Sequence, residues 1–266
     1  MERDYLLPIQ IVAEHLDDAW HQAIRACFQF GHEYTIDHGS YEGQKRFELD
    51  FVSILVKRPW EQLVPIMPEG VKIPPPASRE QVETYMADYL FADALSPRED
   101  YRYGERLVNP KFRKIARPDL KKEHVHLEPP QEMGVNQVRE VIRIYKEAGH
   151  GTNQCTMEIA MPNDIFLHDP PCCRLIDTRV RYGKLHFVIY FRSWDLYAGF
   201  PVNLGGMELL KEMMAEEIGV GNGSMVVASK GLHIYEQYYE LVECQTRMTI
   251  AQLRKEGEER ARRMTV

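Results

Sequence analysis

The chain has 266 residues, 44% of them hydrophobic, with 33 Lys and Arg against 40 Asp and Glu, for a formal charge of -7. That is ample apolar material for one core; no run of about 18 apolar residues is present to cross a bilayer, and charged residues stand where a secretory signal needs an apolar centre. The expectation is a soluble, cytoplasmic single domain over residues 1–266 that engages neither membrane nor nucleic acid in bulk, with room for a local basic pocket holding one small anion.

Residues 8–29 place Val12, Leu16, Trp20, Ile24 and Cys27 at three- and four-residue spacing, which predicts an amphipathic helix ended near Gly31. The run RFELDFVSILVKR (46–58) alternates and then turns wholly apolar, as a long strand stopped by Pro59 does. Prolines at 65, 68 and 74–76 mark an irregular connection, and helical spacing resumes over 79–93 through Val82, Met86 and Leu90. Residues 98–133 read as a long surface loop containing the basic run NPKFRKIARPDLKK.

From residue 136 the pattern sharpens. A helix through Val138, Ile142 and Tyr145 is closed by Gly149 and Gly151, and a strand QCTMEIAM follows. Strands 174–181 and 185–193 meet at Tyr182-Gly183-Lys184 as a hairpin, with Leu185, Phe187, Ile189 and Phe191 on one face and His186, Val188, Tyr190 and Arg192 on the other. A helix with Met207, Leu210 and Met214 inside ends at Gly219, a Gly-Asn-Gly turn leads to a short strand SMVVAS, and a charged helix occupies about 236–262. The sum is an α+β fold, a mostly antiparallel sheet covered by helices.

Five scattered cysteines, Cys27, Cys155, Cys172, Cys173 and Cys244, fit reduced thiols better than a disulfide framework. Cys172 follows two prolines, where the chain continues neither a ladder nor a helix, and Arg174 and Arg192 are candidate cations to make its thiolate usable near neutral pH. The bland alternative is that Cys172 and Cys173 are ordinary buried thiols.

The segments DPPCC (169–173), FRSWDLYAGFPVN (191–203) and GLHIYEQYYE (231–240) resemble, in order and in interval, the thymidylate synthase family. The resemblance runs from about 134 to 240, with RFELDFVSI, VETYMADYL and YRYGERL as shortened upstream counterparts. It implies a mixed, mostly antiparallel sheet under helices, with Cys172 as the thiolate that adds to C6 of a uracil ring. Arg192 and Ser193 would bind the nucleotide phosphate, Asn203 would read the O4 and N3 edge of the base, and His233 and Tyr235 would hold the sugar 3′-hydroxyl. Asp195 and Gly199 would meet the pterin ring of a reduced folate, Tyr103 would belong to the proton-abstraction network, and Glu83, with Glu80 as its neighbour in register, would organise water there. Addition at C6 turns C5 into a nucleophile for a methylene carried by a reduced pterin; hydride then gives methyl, and water gives hydroxymethyl. The implied partners are a pyrimidine nucleoside monophosphate, the pterin cosubstrate and a second copy of the chain, with no metal.

Departures from the family pattern open alternatives. Cys173 stands where the family usually has His. Asn153 and Gln154 replace two arginines that reach the partner subunit's phosphate, leaving Lys111, Arg113, Lys114 and Arg117, or Lys45 and Arg46, as substitute cations. The segment 90–103 lacks the tryptophans that stack on folate, which favours a pyrimidine nucleotide hydroxymethylase or another carrier such as a methanopterin. Met264-Thr265-Val266 is a candidate lid. A nucleotide-binding homologue without chemistry is the non-enzymatic rival, and a metal site on His124 and His126 the weakest.

Overall fold

A computed structural model describes residues 4–39, 41–96, 99–112, 114 and 131–264 of the chain. Its first element is a strand, β1 (Pro8–Ala13), and helix α1 (Leu16–Phe30) starts only after it, so the helix expected over 8–29 holds for its second part alone. The His15 side chain caps α1 by accepting from the Asp18 N–H at 3.2 Å. Strands β2 (His32–Thr35), β3 (Lys45–Glu48) and β4 (Phe51–Val56) follow, and the single long strand expected over 46–58 is thereby corrected to two. Helix α2 (Arg79–Tyr85) runs on into a π-helical turn, Met86–Leu90.

The irregular segment 98–133 contains a short buried helix, α3 (Tyr103–Val108), and a small ribbon of β5 (Lys111–Phe112) with β6 (Gln131–Glu132). Helix α4 (Gln137–Ala148), strand β7 (Thr156–Glu158), the hairpin of β8 (Cys173–Arg181) and β9 (Lys184–Phe191), and the short β10 (Trp194–Asp195) lead to the long helix α5 (Gly199–Ile218). The hairpin turns through Tyr182 and Gly183 at φ 54 and 68, the left-handed pair a two-residue hairpin turn requires. Strand β11 (Gly221–Ser229) takes in the Gly-Asn-Gly stretch expected as a turn, and β12 (Leu232–Tyr235) follows. The charged terminal segment is two helices, α6 (Tyr239–Thr246) and α7 (Ile250–Met264), broken at Arg247 with φ 55. Positions Arg113 and Arg117, the His124 and His126 pair and residues 265–266 lie outside the described residues.

The architecture is α+β, with mixed sheets flanked by helices. The large sheet has the order β1-β4-β11-β9-β8-β7, and two of its five pairings, β1 with β4 and β11 with β9, are parallel. A second sheet has the order β10-β12-β3-β2. Consecutive strands β3 and β4 therefore belong to different sheets. At the crossing, Leu49 is buried and donates its N–H to Leu232 at 3.0 Å, while Asp50 accepts from the Leu7 N–H at 2.9 Å.

One face of the large sheet buries Leu185, Phe187, Ile189, Phe191, Met225 and Val227 against α1 and α5, where Trp20 is wholly buried and its indole donates to the Leu196 carbonyl at 2.9 Å. Burial of side chains this size contributes about 1.5–3 kcal/mol each. The opposite face carries Val12 and Val188, 47% and 42% exposed. Helix α7 lies so close to α1 that a Cβ at Gly257 would stand 2.1 Å from the Gln29 carbonyl oxygen.

Candidate active site

Cys172 and Arg192 stand side by side where β8 begins and β9 ends, because the Arg192 N–H donates to the Cys172 carbonyl at 2.8 Å. Pro170 and Pro171 have no N–H to spend on a ladder, and their carbonyls turn to the arginine: Arg192 Nε donates to both at 3.2 Å. Its Nη2 donates to Pro170 O as well, and pairs with the Asp169 carboxylate at 3.1 Å. Cys172 is partly buried and free. Burial raises its thiol pKa; Arg192 draws it back down, Asp169 and Asp195 push it up, and Arg46 again lowers it. Cys173 is fully buried, and the same desolvation keeps its thiol protonated. Ser193 follows Arg192 and is half-buried.

The small sheet forms one wall of this region. Asp195 on β10 lies opposite His233 on β12, and β12 in turn sets His233 opposite Glu48 and Tyr235 opposite Arg46 on β3. Asp195 Oδ1 accepts from the N–H groups of Tyr197 and Ala198 at 3.0 and 3.3 Å, a turn that launches α5; burial raises its pKa and these backbone donors oppose the shift. His233 is 2% exposed, and its Nδ1 donates to the Gly231 carbonyl at 2.8 Å. Desolvation, with Arg46 nearby, pushes its pKa down to about 3, so the ring is neutral. With the proton fixed on Nδ1, Nε2 is a buried acceptor, and it has no partner among the described residues. Tyr235 packs on Tyr41 with ring centroids 4.5 Å apart and a tilt of 33°, and meets the His233 ring edge-on at 4.7 Å.

Arg46 reaches Glu48 at 2.6 Å and donates from Nε to Tyr34 at 2.8 Å. Among the described residues, Arg46 is the substitute cation that acts electrostatically on Cys172 and His233. Lys45 instead faces outward toward Glu33 at 3.8 Å, and Lys111 lies in the β5 ribbon. Asn153 accepts from Arg179 at the far end of β8, and Gln154 is exposed.

Asn203 sits on the second turn of α5, where Trp194 Nε1 donates to its Oδ1 at 3.1 Å. An indole N–H only donates, so the amide is oriented with its oxygen toward Trp194 and its nitrogen free to give. Trp194 is itself fixed between Phe191 and Phe200, at ring separations of 4.3 and 4.6 Å. Gly199 has a packing reason to lack a side chain: a Cβ there would lie 3.2 Å from Asp195 Cβ and 3.5 Å from Asn203 Oδ1.

The facing wall is phenolic. Tyr103, 4% exposed, accepts the Cys173 N–H on its hydroxyl at 2.9 Å, which anchors α3 beside the thiols. Tyr101 stacks on Tyr103 at 6.0 Å, Tyr89 meets Tyr103 edge-on at 5.1 Å, and Tyr85 stacks on Tyr89 at 5.0 Å. Burial raises all four phenol pKa values, and Cys172 is the largest charged influence on Tyr103. Glu83 is not part of this wall. It is exposed on the outer side of α2, paired with Arg79 at 2.8 Å, and Glu80 is exposed too. Val82, Tyr85 and Tyr89 form the inward face, and Tyr85 is the polar side chain that α2 turns toward Asn203.

The structure thus gathers Cys172, Arg192, Ser193, Asp195, Gly199, Asn203, His233, Tyr235 and Tyr103 into one region, and leaves Glu83 outside it. Tyr85, Tyr41 and Asp169 are members that sequence reasoning passed over, although Tyr85 and Tyr89 share the helical spacing of Val82. Among the described residues no group of three or more His, Cys, Asp or Glu is arranged to hold a metal ion.

Comparison with known proteins gives the class. The family profile described as Thymidylate synthase matches residues 99–258. The chain is 25% identical over 243 residues to a protein of Methanosarcina mazei named "Putative thymidylate synthase", covering 91% of this chain and 97% of that one. A protein of the same name from Methanosarcina acetivorans is 26% identical over 243 residues, with the same coverage of 91% and 97%. One from Methanothermobacter thermautotrophicus is 31% identical over 166 residues, 62% of this chain and 64% of its own length. The chain belongs to the thymidylate synthase family.

Proposed function

We propose that the chain transfers a one-carbon unit to C5 of a uridine monophosphate nucleotide, dUMP to dTMP, through a thioether between Cys172 and C6 of the base. The observation that carries this reading is the joint placement of a partly buried free thiol, a guanidinium tied to its backbone, and an amide whose nitrogen is left free to donate. C5 of uracil becomes nucleophilic only when C6 is saturated, and the negative oxygen that results needs a fixed donor. Cys172 supplies the sulfur, and Asn203 Nδ2 supplies the donor.

Arg192 and Ser193 bind the phosphate, with Arg46 as the second cation; the phosphate replaces Asp169 on the Arg192 fork. His233 Nε2, a buried acceptor without a partner among the described residues, suits the 3′-hydroxyl of the sugar, and Tyr235 lies beside it. Tyr103, held over the thiols by the Cys173 N–H, belongs to the path by which the C5 proton leaves. A reduced pterin of the methylene-tetrahydrofolate type brings the carbon and the hydride; Asp195 and Gly199, at the mouth of α5, are the residues proposed to meet its ring.

We place the working protein as a homodimer, two copies meeting on the large-sheet face that carries Val12 and Val188. Sedimentation of a monomer alone at micromolar concentration overturns that arrangement.

The function is tested by tritium release from C5-labelled dUMP and UMP. Wild type releases tritium, and Cys172→Ser reduces the rate by about a thousandfold or more. Release that survives the substitution removes the proposed nucleophile. The product mass distinguishes methyl from hydroxymethyl, the outcome that the absence of tryptophan between residues 90 and 103 favours.

A further inference from the structure

Helix α5 carries two adjacent glycines on the side that receives α2. A Cβ at Gly205 would stand 2.8 Å from Val82 Cγ2, and one at Gly206 would stand 2.5 Å from Tyr85 Cδ1. Side chains do not make contacts that short, so both positions are bare where α2 presses in, and Gly206 is bare for the Tyr85 ring in particular. Stacking on Tyr89 at 24° between planes then fixes the ring.

What this packing delivers is a hydroxyl. Tyr85 Oη is buried and makes no hydrogen bond among the described residues. Asn203, Cys173, Tyr89 and Tyr101 are its neighbours; the Asn203 amide is close enough to draw on it, but the geometry falls short of a hydrogen bond. Leaving a buried hydroxyl unpaired is unfavourable, and phenylalanine would fill the same space without that penalty. The arrangement makes sense if a ligand supplies the missing partner.

We propose that Tyr85 determines base specificity, its hydroxyl donating a hydrogen bond to the 4-oxygen of a bound uracil ring beside the amide nitrogen of Asn203. A carbonyl oxygen has two lone pairs and accepts two donors. Asn203 offers one, since Trp194 holds its oxygen, and the second lone pair of that same oxygen is left for the N3–H of the base. Cytosine would turn an amino group toward the same two donors and leave them without an acceptor.

The chemistry of a phenol suits this place. Burial and the neighbouring tyrosine and thiol keep the Tyr85 hydroxyl protonated well beyond pH 10, so it donates throughout the neutral range. An ionised carboxylate in this place would only accept. As sulfur adds at C6 and charge gathers on the 4-oxygen, the hydroxyl's bond strengthens together with that from Asn203. The inference rests on the base-binding reading proposed above.

The test measures by calorimetry the Kd of dUMP and of the 2-pyrimidinone deoxyribonucleotide, which has hydrogen in place of the 4-oxygen, on wild type and on Tyr85→Phe. The variant keeps the ring, its stack and its fit against Gly206. The expected result is about tenfold weaker dUMP binding with the analogue unchanged within about twofold, and a kcat for tritium release about a hundredfold lower. Equal loss for both ligands, or loss for neither, overturns the proposal, because a purely structural role does not distinguish them. A wild type that binds both ligands and releases no tritium defeats the one-carbon chemistry, while the pair of Kd ratios still decides Tyr85. A wild type that binds no pyrimidine nucleotide defeats both.

Discussion

The two walls of the candidate site solve opposite problems. On the small sheet, polar groups are largely satisfied by one another: Arg46 holds Glu48 and Tyr34, His233 Nδ1 is tied to Gly231, and Asp195 caps its own turn. On the wall built from α2, the π-helical turn, α3 and the segment entering it, four phenols pack ring against ring, and the Tyr85 hydroxyl is left without a partner among the described residues. The first wall is tied together by these bonds and leaves one acceptor open among the described residues, His233 Nε2. The second holds binding capacity in reserve. Internal pairing buys geometry, and its absence marks where a ligand is to complete the structure.

After the loss of the Cys172 sulfur itself, the largest expected effect comes from Asn203, which joins the walls. Asn203→Asp keeps the Trp194 hydrogen bond, because a carboxylate still accepts from the indole, but it loses the donated hydrogen. Tritium release from dUMP is expected to fall about a hundredfold while the ratio of dCMP to dUMP binding rises; an unchanged ratio in competition experiments breaks the assignment of Asn203 to the base edge.

Asp169→Asn sharpens the contrast at Arg192. It removes the carboxylate that occupies the guanidinium and raises the Cys172 pKa, so the thiol pKa falls. Alkylation of Cys172 by iodoacetamide at pH 7 is expected to quicken severalfold. A rate equal to wild type would show that Asp169 does not govern the thiol.

The smallest effect concerns stability. His233 has an ordinary pKa near 6.5 when unfolded and about 3 when folded, so below pH 6.5 the unfolded chain binds a proton that the folded chain refuses. Stability from this residue is intact above pH 6.5 and is lost as pH falls, by about 1.5 kcal/mol between pH 6.5 and 5. Denaturant titrations of His233→Gln should show that slope removed; an unaltered slope contradicts the buried neutral ring.

Much of the fold was legible because burial imposes a period. Helix α4, the β8–β9 hairpin and α5 follow from their apolar spacing and closing glycines. Strand β1 was not, since its Val12 continues the three- and four-residue spacing of α1 and His15 is an unusual cap. The break between β3 and β4 carries no glycine or proline; it is set by pairing with β12 and β11, over 170 residues away in sequence, and no local signal reports it. Strands as short as β10 and helices as short as α3 exist only through such tertiary pairing.

In the site, Cys172, Arg192, Asn203 and His233 were named from motif order. Glu83 points away from this cluster, on a seven-residue helix whose inward face is marked by Val82 and Tyr85 and continued by Tyr89 in the π-helical turn. The phenolic wall escaped because tyrosines at helical spacing look like core until their hydroxyls are followed.

The passage from β3 to β4 has one mechanical outcome. Only Leu49 and Asp50 lie between the two strands, and hydrogen bonds pin both, so this link leaves the arginine-bearing sheet little slack against the large one. On the proposed function, any adjustment to a nucleotide is expected of the opposite wall, where α2 rides on a pair of glycines and the chain runs on into a π-helical turn.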